Sequence, residues 1–316
     1  MGTTHKVIFG NCSDMHEIPD GSIHLMVTSP PYFNAPFDYP NLFKSYEEYL
    51  KLIKNVAKEL YRVISVGRIA CFVTDDMLVD GKKYPIVSDI TNIMMKNGFN
   101  YRDRIVWVKP KGYVRISRRS GVLLQHPYPM YFYPDNIQES ILIFQKGKFD
   151  YEYLKTLPKE VVEASRIDLK EYKETEIPLT VWDDITTAGM EHTIIMPDMW
   201  HVTNVLPIKG RLEEGVAAFP EEIPRRLIKL FSFVGENVLD PFAGSGTTLK
   251  VAKELGRNSF GYEIDLELKP IISSKLGYNQ TTLSDDKIEF IERKDAGHFR
   301  TSLQKIVREK KNVNKT

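Results

Sequence analysis

Short apolar runs alternate with amphipathic stretches along most of this chain. Lys6 to Phe9 and Ile23 to Val27 read as short strands, and Arg68 to Val73 as a strand buried on both faces. Ser45 to Ile64 predicts a helix. Ser45 and Glu48 have capping-box spacing, and Leu50, Ile53, Val56, Ala57 and Leu60 form one apolar stripe. Pro85 to Asn97 predicts a second helix, closed by Gly98. Arg104 to Val108 and Ile141 to Gln145 predict later strands, read as antiparallel edges. Pro220 to Ser232 predicts a helix leading into a strand at Val238. Strands alternating with helices imply a parallel sheet covered on both faces. The segment from about 150 to 200 breaks the alternation. It is charged and rich in Thr, Pro and Asp, and predicts an inserted or partly mobile module.

Two motifs interrupt this pattern. Thr28-Ser29-Pro30-Pro31-Tyr32 follows the Ile23 strand. Each proline fixes φ and removes a backbone donor, and the residue before each is pushed towards extended geometry. The result is a stiff turn offering carbonyl acceptors, followed by a flat ring. Such a turn suits a nucleobase carrying an exocyclic amino group. About two hundred residues later, Val238-Leu239-Asp240 runs into Pro241-Phe242-Ala243-Gly244-Ser245-Gly246-Thr247-Thr248. Here a strand ends in an acid and a glycine turn opens a predicted helix from Thr247 to Gly256. Glycines allow close backbone approach, and a helix start presents free N–H groups. Glu263 ends the next strand-like run, Ser259-Phe260-Gly261-Tyr262, nineteen residues after Gly244. That spacing places an acid to grip ribose hydroxyls. Both motifs must lie at the carboxyl ends of neighbouring strands to share a ligand. The glycine loop comes last, so the chain reads as circularly permuted relative to the usual order.

Composition narrows the class without naming it. At 316 residues the chain can bury a large core, as one domain with an insert or as two domains. No eighteen-residue apolar run exists, and Met1 to Lys6 lacks a signal-peptide core, so a cytoplasmic protein without membrane contact is expected. Two cysteines, Cys12 and Cys71, leave little room for a disulfide framework, and no helix-spaced histidine pair implies a metal site. Net charge is only +1, but Arg102 to Arg119 is basic, with Lys109, Lys111, Arg115, Arg118 and Arg119 as candidate phosphate contacts. The Lys305 to Lys315 tail is basic too and reads as a frayed terminus.

With these motifs the chain resembles the amino-group DNA methyltransferases that use S-adenosylmethionine, in their permuted (β-type) arrangement. Ile105-Val106-Trp107-Val108-Lys109-Pro110 and Phe219-Pro220-Glu221-Glu222-Ile223-Pro224 extend the match. The resemblance implies an α/β fold: a Rossmann-like methyltransferase sheet with an inserted target-recognition region. Residues 1–110 would form the catalytic part, 111–200 the recognition region, with a strand returning near 140–146, and 201–300 the cofactor-binding part. Residues 301–316 are a tail. The resemblance gives Ser29, Pro30, Pro31 and Tyr32 the catalytic role. It gives cofactor binding to Asp240, Pro241, Phe242, Gly244, Ser245, Gly246, Thr247, Thr248 and Glu263. The family often has Gly-Asp where this chain has Gly10-Asn11, so Asn11 and Asp14 are both candidates for that contact.

In this reading the Ser29 hydroxyl and Pro30 carbonyl accept from the target amino group, Tyr32 stacks on the base, and the methyl moves directly. Double-stranded DNA would be the partner, its target base flipped out. A restriction endonuclease would share the biological role but not a complex. Ser29 stands where adenine enzymes usually carry Asp or Asn, so cytosine N4 is expected and adenine N6 is the alternative. An RNA or protein-amide methyltransferase, or a non-catalytic regulator binding cofactor or DNA, are further readings. Carbon-5 methylation needs a cysteine nucleophile, usually after proline, and neither Cys12 nor Cys71 is so placed. Phe33 and Phe37 read as core or loop aromatics, Trp107 as core, and Asp265 as a cap on the following turn.

Overall fold

A computed structural model describes residues 2–34, 42–109, 125–132, 134, 137–185, 219–278 and 285–299. In chain order the elements are β1 (Thr4–Phe9), β2 (Ile23–Thr28), α1 (Tyr46–Val63), β3 (Ile64–Thr74), β4 (Met77–Val79), β5 (Lys82–Tyr84), α2 (Ile86–Lys96), β6 (Asn100–Val108) and β7 (Gln138–Gln145). They continue with α3 (Tyr153–Thr156), α4 (Lys159–Ala164), α5 (Leu169–Glu174), β8 (Val181–Trp182), α6 (Glu222–Phe231), β9 (Asn237–Asp240), α7 (Thr247–Glu254), β10 (Asn258–Glu263), α8 (Lys269–Leu276) and β11 (Lys287–Glu292).

Nine strands form one sheet in the order β11-β1-β10-β9-β2-β3-β7-β6-β8. From β11 to β3 all neighbours are parallel. β7 runs against both β3 and β6. The two expected edge strands therefore lie inside the sheet, because the two-residue β8 pairs outside β6. β11 and the β4–β5 hairpin were not anticipated from the sequence: the hairpin strands have three residues each, and in β11, Lys-Ile-Glu-Phe-Ile-Glu, half of the residues are charged and the alternation breaks at Ile291.

Side-chain alternation assigns the two faces. Met26, Ala70, Phe72, Leu142 and Phe144 point to α1 and α2, whose Ile53, Val56, Leu60, Ile90 and Met94 fill that side. Leu25, Val27, Ile69, Cys71 and Ile143 point the other way, to Leu227 and Ile228 of α6 and Val251 and Ala252 of α7. The predicted stripe of α1 holds, with Tyr49 joining it as a fully buried ring. Ser45 caps the helix by accepting from the Glu48 amide at 3.2 Å. The Glu48 carboxylate reaches one residue further back than a capping box requires, to the Lys44 amide at 2.7 Å.

Residues 150–185 pack on this body. Trp182 is fully buried, Asp184 takes both terminal nitrogens of Arg226 at 2.9 and 2.7 Å, and Lys229 meets Glu171 at 2.9 Å. Beneath them a buried ion pair joins Arg68 of β3 to Glu236 at 2.5 Å. Tyr153 donates to the same carboxylate at 2.9 Å, as does the Phe233 amide at 2.8 Å. The Arg68 guanidinium also faces the Tyr153 ring at 4.6 Å. Removing one member of a buried pair strands the other charge. Glu236→Ala should therefore lose roughly 3–5 kcal/mol in urea unfolding. A loss below about 1 kcal/mol would mean that the guanidinium finds water instead.

Candidate active site

The switch in chain direction sets where a ligand can sit. From β9 the chain passes through α7 to β10 on one side; from β2 it passes through α1 to β3 on the other. In open α/β sheets the crevice lies at the carboxyl ends of the two strands flanking such a switch. Here β2 and β9 are direct neighbours, with Leu25 opposite Val238 and Met26 opposite Leu239. The Ser29–Tyr32 turn leaves one strand and the Pro241–Gly246 loop leaves the other, side by side. A cavity of about 320 Å³ opens between them.

Its lining brings together most of the expected residues: Ser29, Pro30, Pro31 and Tyr32, with Asp240, Pro241, Phe242, Gly244, Ser245, Thr247, Glu263 and Asn11. Gly246 and Thr248 stand behind it. Gly246 adopts φ 82° as the N-cap of α7, a left-handed conformation that glycine tolerates best. Thr248 is fully buried, under the carbonyl of Val27. Asp14 is not part of the lining; its carboxylate bonds the His16 ring at 3.0 Å.

Asp240, besides lining the cavity, has a structural role that its position in the motif did not announce. Its Oδ1 accepts from the Thr28 hydroxyl at 2.6 Å and from the Phe242 amide at 3.1 Å. The carboxylate thus ties the end of β2 to the start of the glycine loop. Burial pushes its pKa up to about 6, against the hydrogen bonds from Thr28, Thr248 and Phe242. Glu263 accepts from the Gly244 amide at 2.8 Å and the Asp265 amide at 2.9 Å. Asp265 caps the following turn through the Glu267 amide at 3.1 Å, as its position predicted.

Other contributors were hidden from the sequence. Phe9 lies opposite Glu263, so Gly10 donates to the Glu263 carbonyl at 2.8 Å and lines the cavity. Arg293, beyond β11, bonds Glu17 at 2.6 Å and the carbonyls of Asn11 and Asp14 at 3.2 and 2.8 Å. It fastens the loop that follows β1. Lys275 of α8 donates to the Ser245 hydroxyl at 2.8 Å. No local pattern links these residues to the motifs; only the fold does. Phe43, Leu52, Phe219 and Phe299 add apolar wall, and Cys12 completes it.

Phe33 packs edge-on against Tyr46 and Tyr84 with centroids 5.2 and 4.8 Å away, as a core aromatic. Phe37, Lys111, Arg115, Arg118, Arg119 and the tail lie outside the described residues. Lys109 is buried and meets Glu139 at 2.7 Å, with its ammonium 3.4 Å from the centre of the buried Trp107 ring. It is therefore not a surface contact for phosphate. Arg102 and Arg104 stand towards the opposite end of β6, away from the cavity edge, so the described cations of the basic run do not share one face.

Comparisons with known proteins agree with this geometry. The family model described as DNA methylase, for N6 and N4 methyltransferases, matches residues 23–274. The chain belongs to this family. The Type II methyltransferase M.MjaI of Methanocaldococcus jannaschii is 36% identical, over 92% of this chain and 97% of its own. M.MthZI of Methanothermobacter thermautotrophicus is 29% identical over 95% and 86%. The fold is likewise shared with TTHA0409 of Thermus thermophilus, a putative DNA modification methylase solved with S-adenosyl-L-methionine. That structure has a TM-score of 0.67 and 25% identity over 91% of this chain and 98% of its own.

In this methylase Cys12 is an unfit nucleophile, although it reaches the cavity. Burial and the nearby Glu263 raise its thiol far above the ordinary range, so the reactive thiolate is suppressed. Among the described residues no cluster of His, Cys, Asp or Glu could hold a metal, and no helix is long and apolar enough to cross a membrane.

The raised Asp240 pKa gives a test with a definite sign. A carboxyl whose folded pKa lies above its unfolded value of 3.8 stabilises the fold most when protonated. That contribution is complete below about pH 4 and is lost as pH rises through about 6. Asp240→Asn keeps an acceptor for Thr28 and Phe242 but carries no charge. Relative to wild type it should gain on the order of 2–3 kcal/mol between pH 4 and 7, read from unfolding curves at each pH. Parallel stability profiles for the two proteins would refute a buried, shifted carboxyl.

Proposed function

We propose that this methylase transfers a methyl group from S-adenosyl-L-methionine to N4 of cytosine in duplex DNA. The observation that carries the proposal is one cavity shared by Ser29 of the Pro-Pro-Tyr turn and by the glycine loop with Glu263. The cofactor fits the groups that line the cavity: the backbone turns at Gly10 and Gly244, the Glu263 acid at the end of β10, and the apolar Phe242 wall. Bound there, it supplies an electrophilic sulfonium methyl group. Glu263 is the residue placed to accept from ribose hydroxyls, and Asn11 lies beside it.

The protein's own work is orientation. An exocyclic amino nitrogen is a weak nucleophile, because its lone pair is delocalised into the ring. The Ser29 hydroxyl and the Pro30 carbonyl accept its hydrogens and favour a pyramidal nitrogen, a stabilisation largest as charge develops. Tyr32 supports the base from its face. Stacked in a duplex the amino group is paired and out of reach, so the base leaves the stack. The choice of cytosine rests on the family resemblance: Ser29 stands where adenine enzymes usually carry Asp or Asn. The M.MjaI and M.MthZI names place those proteins in Type II systems. By that analogy this chain would protect sites from a separately acting endonuclease in a prokaryotic cytoplasm. Residues 111–200 are proposed to include the target-recognition region.

Incubation of unmodified genomic DNA with the protein and labelled cofactor, followed by nucleoside analysis, should yield N4-methylcytosine. N6-methyladenine alone would transfer the assignment to adenine. Ser29→Ala should slow single-turnover methylation roughly 10- to 100-fold while leaving cofactor affinity intact, the loss of one transition-state hydrogen bond. Glu263→Ala should do the reverse, weakening S-adenosylhomocysteine binding in calorimetry by about 1.5–3 kcal/mol. Equal affinities for Glu263→Ala and wild type would remove Glu263 from the cofactor site.

A further inference from the structure

The strands that flank the site carry a second feature on the same edge of the sheet. Thr28 lies opposite Phe72 of β3, Thr74 lies opposite Ser140 of β7, and Gln138 lies opposite Val108 of β6. The chain between β6 and β7 therefore departs from and returns to the edge that holds the Ser29–Tyr32 turn. The Lys109 amide closes its base on the Ile137 carbonyl at 2.7 Å. β7 is two strands from β2, about 10 Å at ordinary strand spacing.

Within this excursion Tyr128, Met130 and Phe132 are 65, 90 and 66% exposed, and Tyr131 stands beside them. Large apolar side chains gathered at one exposed turn mark an interaction surface more often than chance scatter does. Local constraints shape the backbone that carries them. Pro127 and Pro129 flank Tyr128 and fix two φ angles. The Tyr131 amide bonds the Tyr128 carbonyl at 3.3 Å, and the His126 and Tyr131 rings lie 5.2 Å apart. Met130 holds φ 76°, a left-handed conformation that costs a non-glycine residue energy and persists where function retains it. From Lys111 to Pro134 the sequence contains four Lys or Arg and no Asp or Glu, so the chain leading into the turn is net cationic, with Asp135 following it. A cationic run followed by exposed aromatic rings has the composition of a surface that tracks nucleic acid.

We infer that Tyr128 and Phe132 stack on DNA bases beside the flipped target, supporting the disrupted duplex. This rests on the DNA substrate proposed above. Rings of this kind stack on any base and wedge into opened steps, whereas phosphate contacts supply affinity with a salt slope.

The test compares short labelled duplexes, matched and with a central mismatch, by fluorescence anisotropy across a salt series. Wild type should prefer the mismatch, whose bases are already partly unstacked. The double variant Tyr128→Ala/Phe132→Ala should lose roughly tenfold affinity per ring on the mismatched duplex. Its log–log salt slope should stay unchanged, because no phosphate contact is removed. Tyr128→Phe/Phe132→Tyr keeps both rings and should bind as wild type does. S-adenosylhomocysteine affinity should be equal in all three proteins. Wild-type affinity in the alanine variant overturns the proposal, as does a loss accompanied by a flatter salt slope or by weaker cofactor binding. A wild type that binds neither duplex overturns the DNA reading itself, and this inference with it.

Discussion

The contact between the Thr28 hydroxyl and the Asp240 carboxylate is the joint on which the site depends. β2 and β9 are neighbours through only a few residues, Leu25 and Met26 against Val238 and Leu239. Beyond them the two backbones diverge into different loops. Without a side-chain bond at 2.6 Å, the proline turn and the glycine loop would be free to drift apart. Such a joint must be buried, since water would compete for it, and burial is what raises the Asp240 pKa. Asp240 thus holds the walls of the cavity together as well as lining it, and Glu263 repeats the device by pinning the Gly244 amide.

Much of this was legible in the sequence, for a physical reason. Proline pairs, glycine turns and strand-terminal acids are local constraints on φ, on hydrogen bonding and on approach distance, and they act alike in any context. The central strands and α1 were equally clear because they are long or strongly periodic. What escaped was whatever depends on a neighbour distant in sequence. Arg293 and Lys275 look like ordinary surface cations until β11 and α8 fold beside the loops they bind. Lys109 read as part of a basic run, but alternation on β6 turns it inward, to Glu139 and Trp107. Trp182 gave no strand signal, because its two-residue strand exists only by pairing with β6.

The acidic stretch after β7 shows the same effect in charge. Its carboxylates tie it to the body of the fold. Asp184 and Glu171 meet Arg226 and Lys229 on the outer side of α6, and Glu236, just before β9, neutralises Arg68 below. Opposite charges far apart in the chain are used to dock short helices that would be unstable alone. The exposed aromatic turn is the contrary case: its rings remain in water although the sheet beside it is fully packed.

The order of the strands also bears on how the molecule is made. β9 and β10 occupy the middle of the sheet, between β1 and β2, yet they follow both by more than two hundred residues. During synthesis the ribosome releases β1 and β2 long before their partners exist. Until the partners emerge, each offers an unpaired parallel edge, and the loop that must close is long. Such topologies fold slowly and expose aggregation-prone edges while they wait. The cavity therefore cannot form until β9 and then β10 have entered the gap. A chain broken off before that point would hold the whole proline turn and none of the wall that faces it.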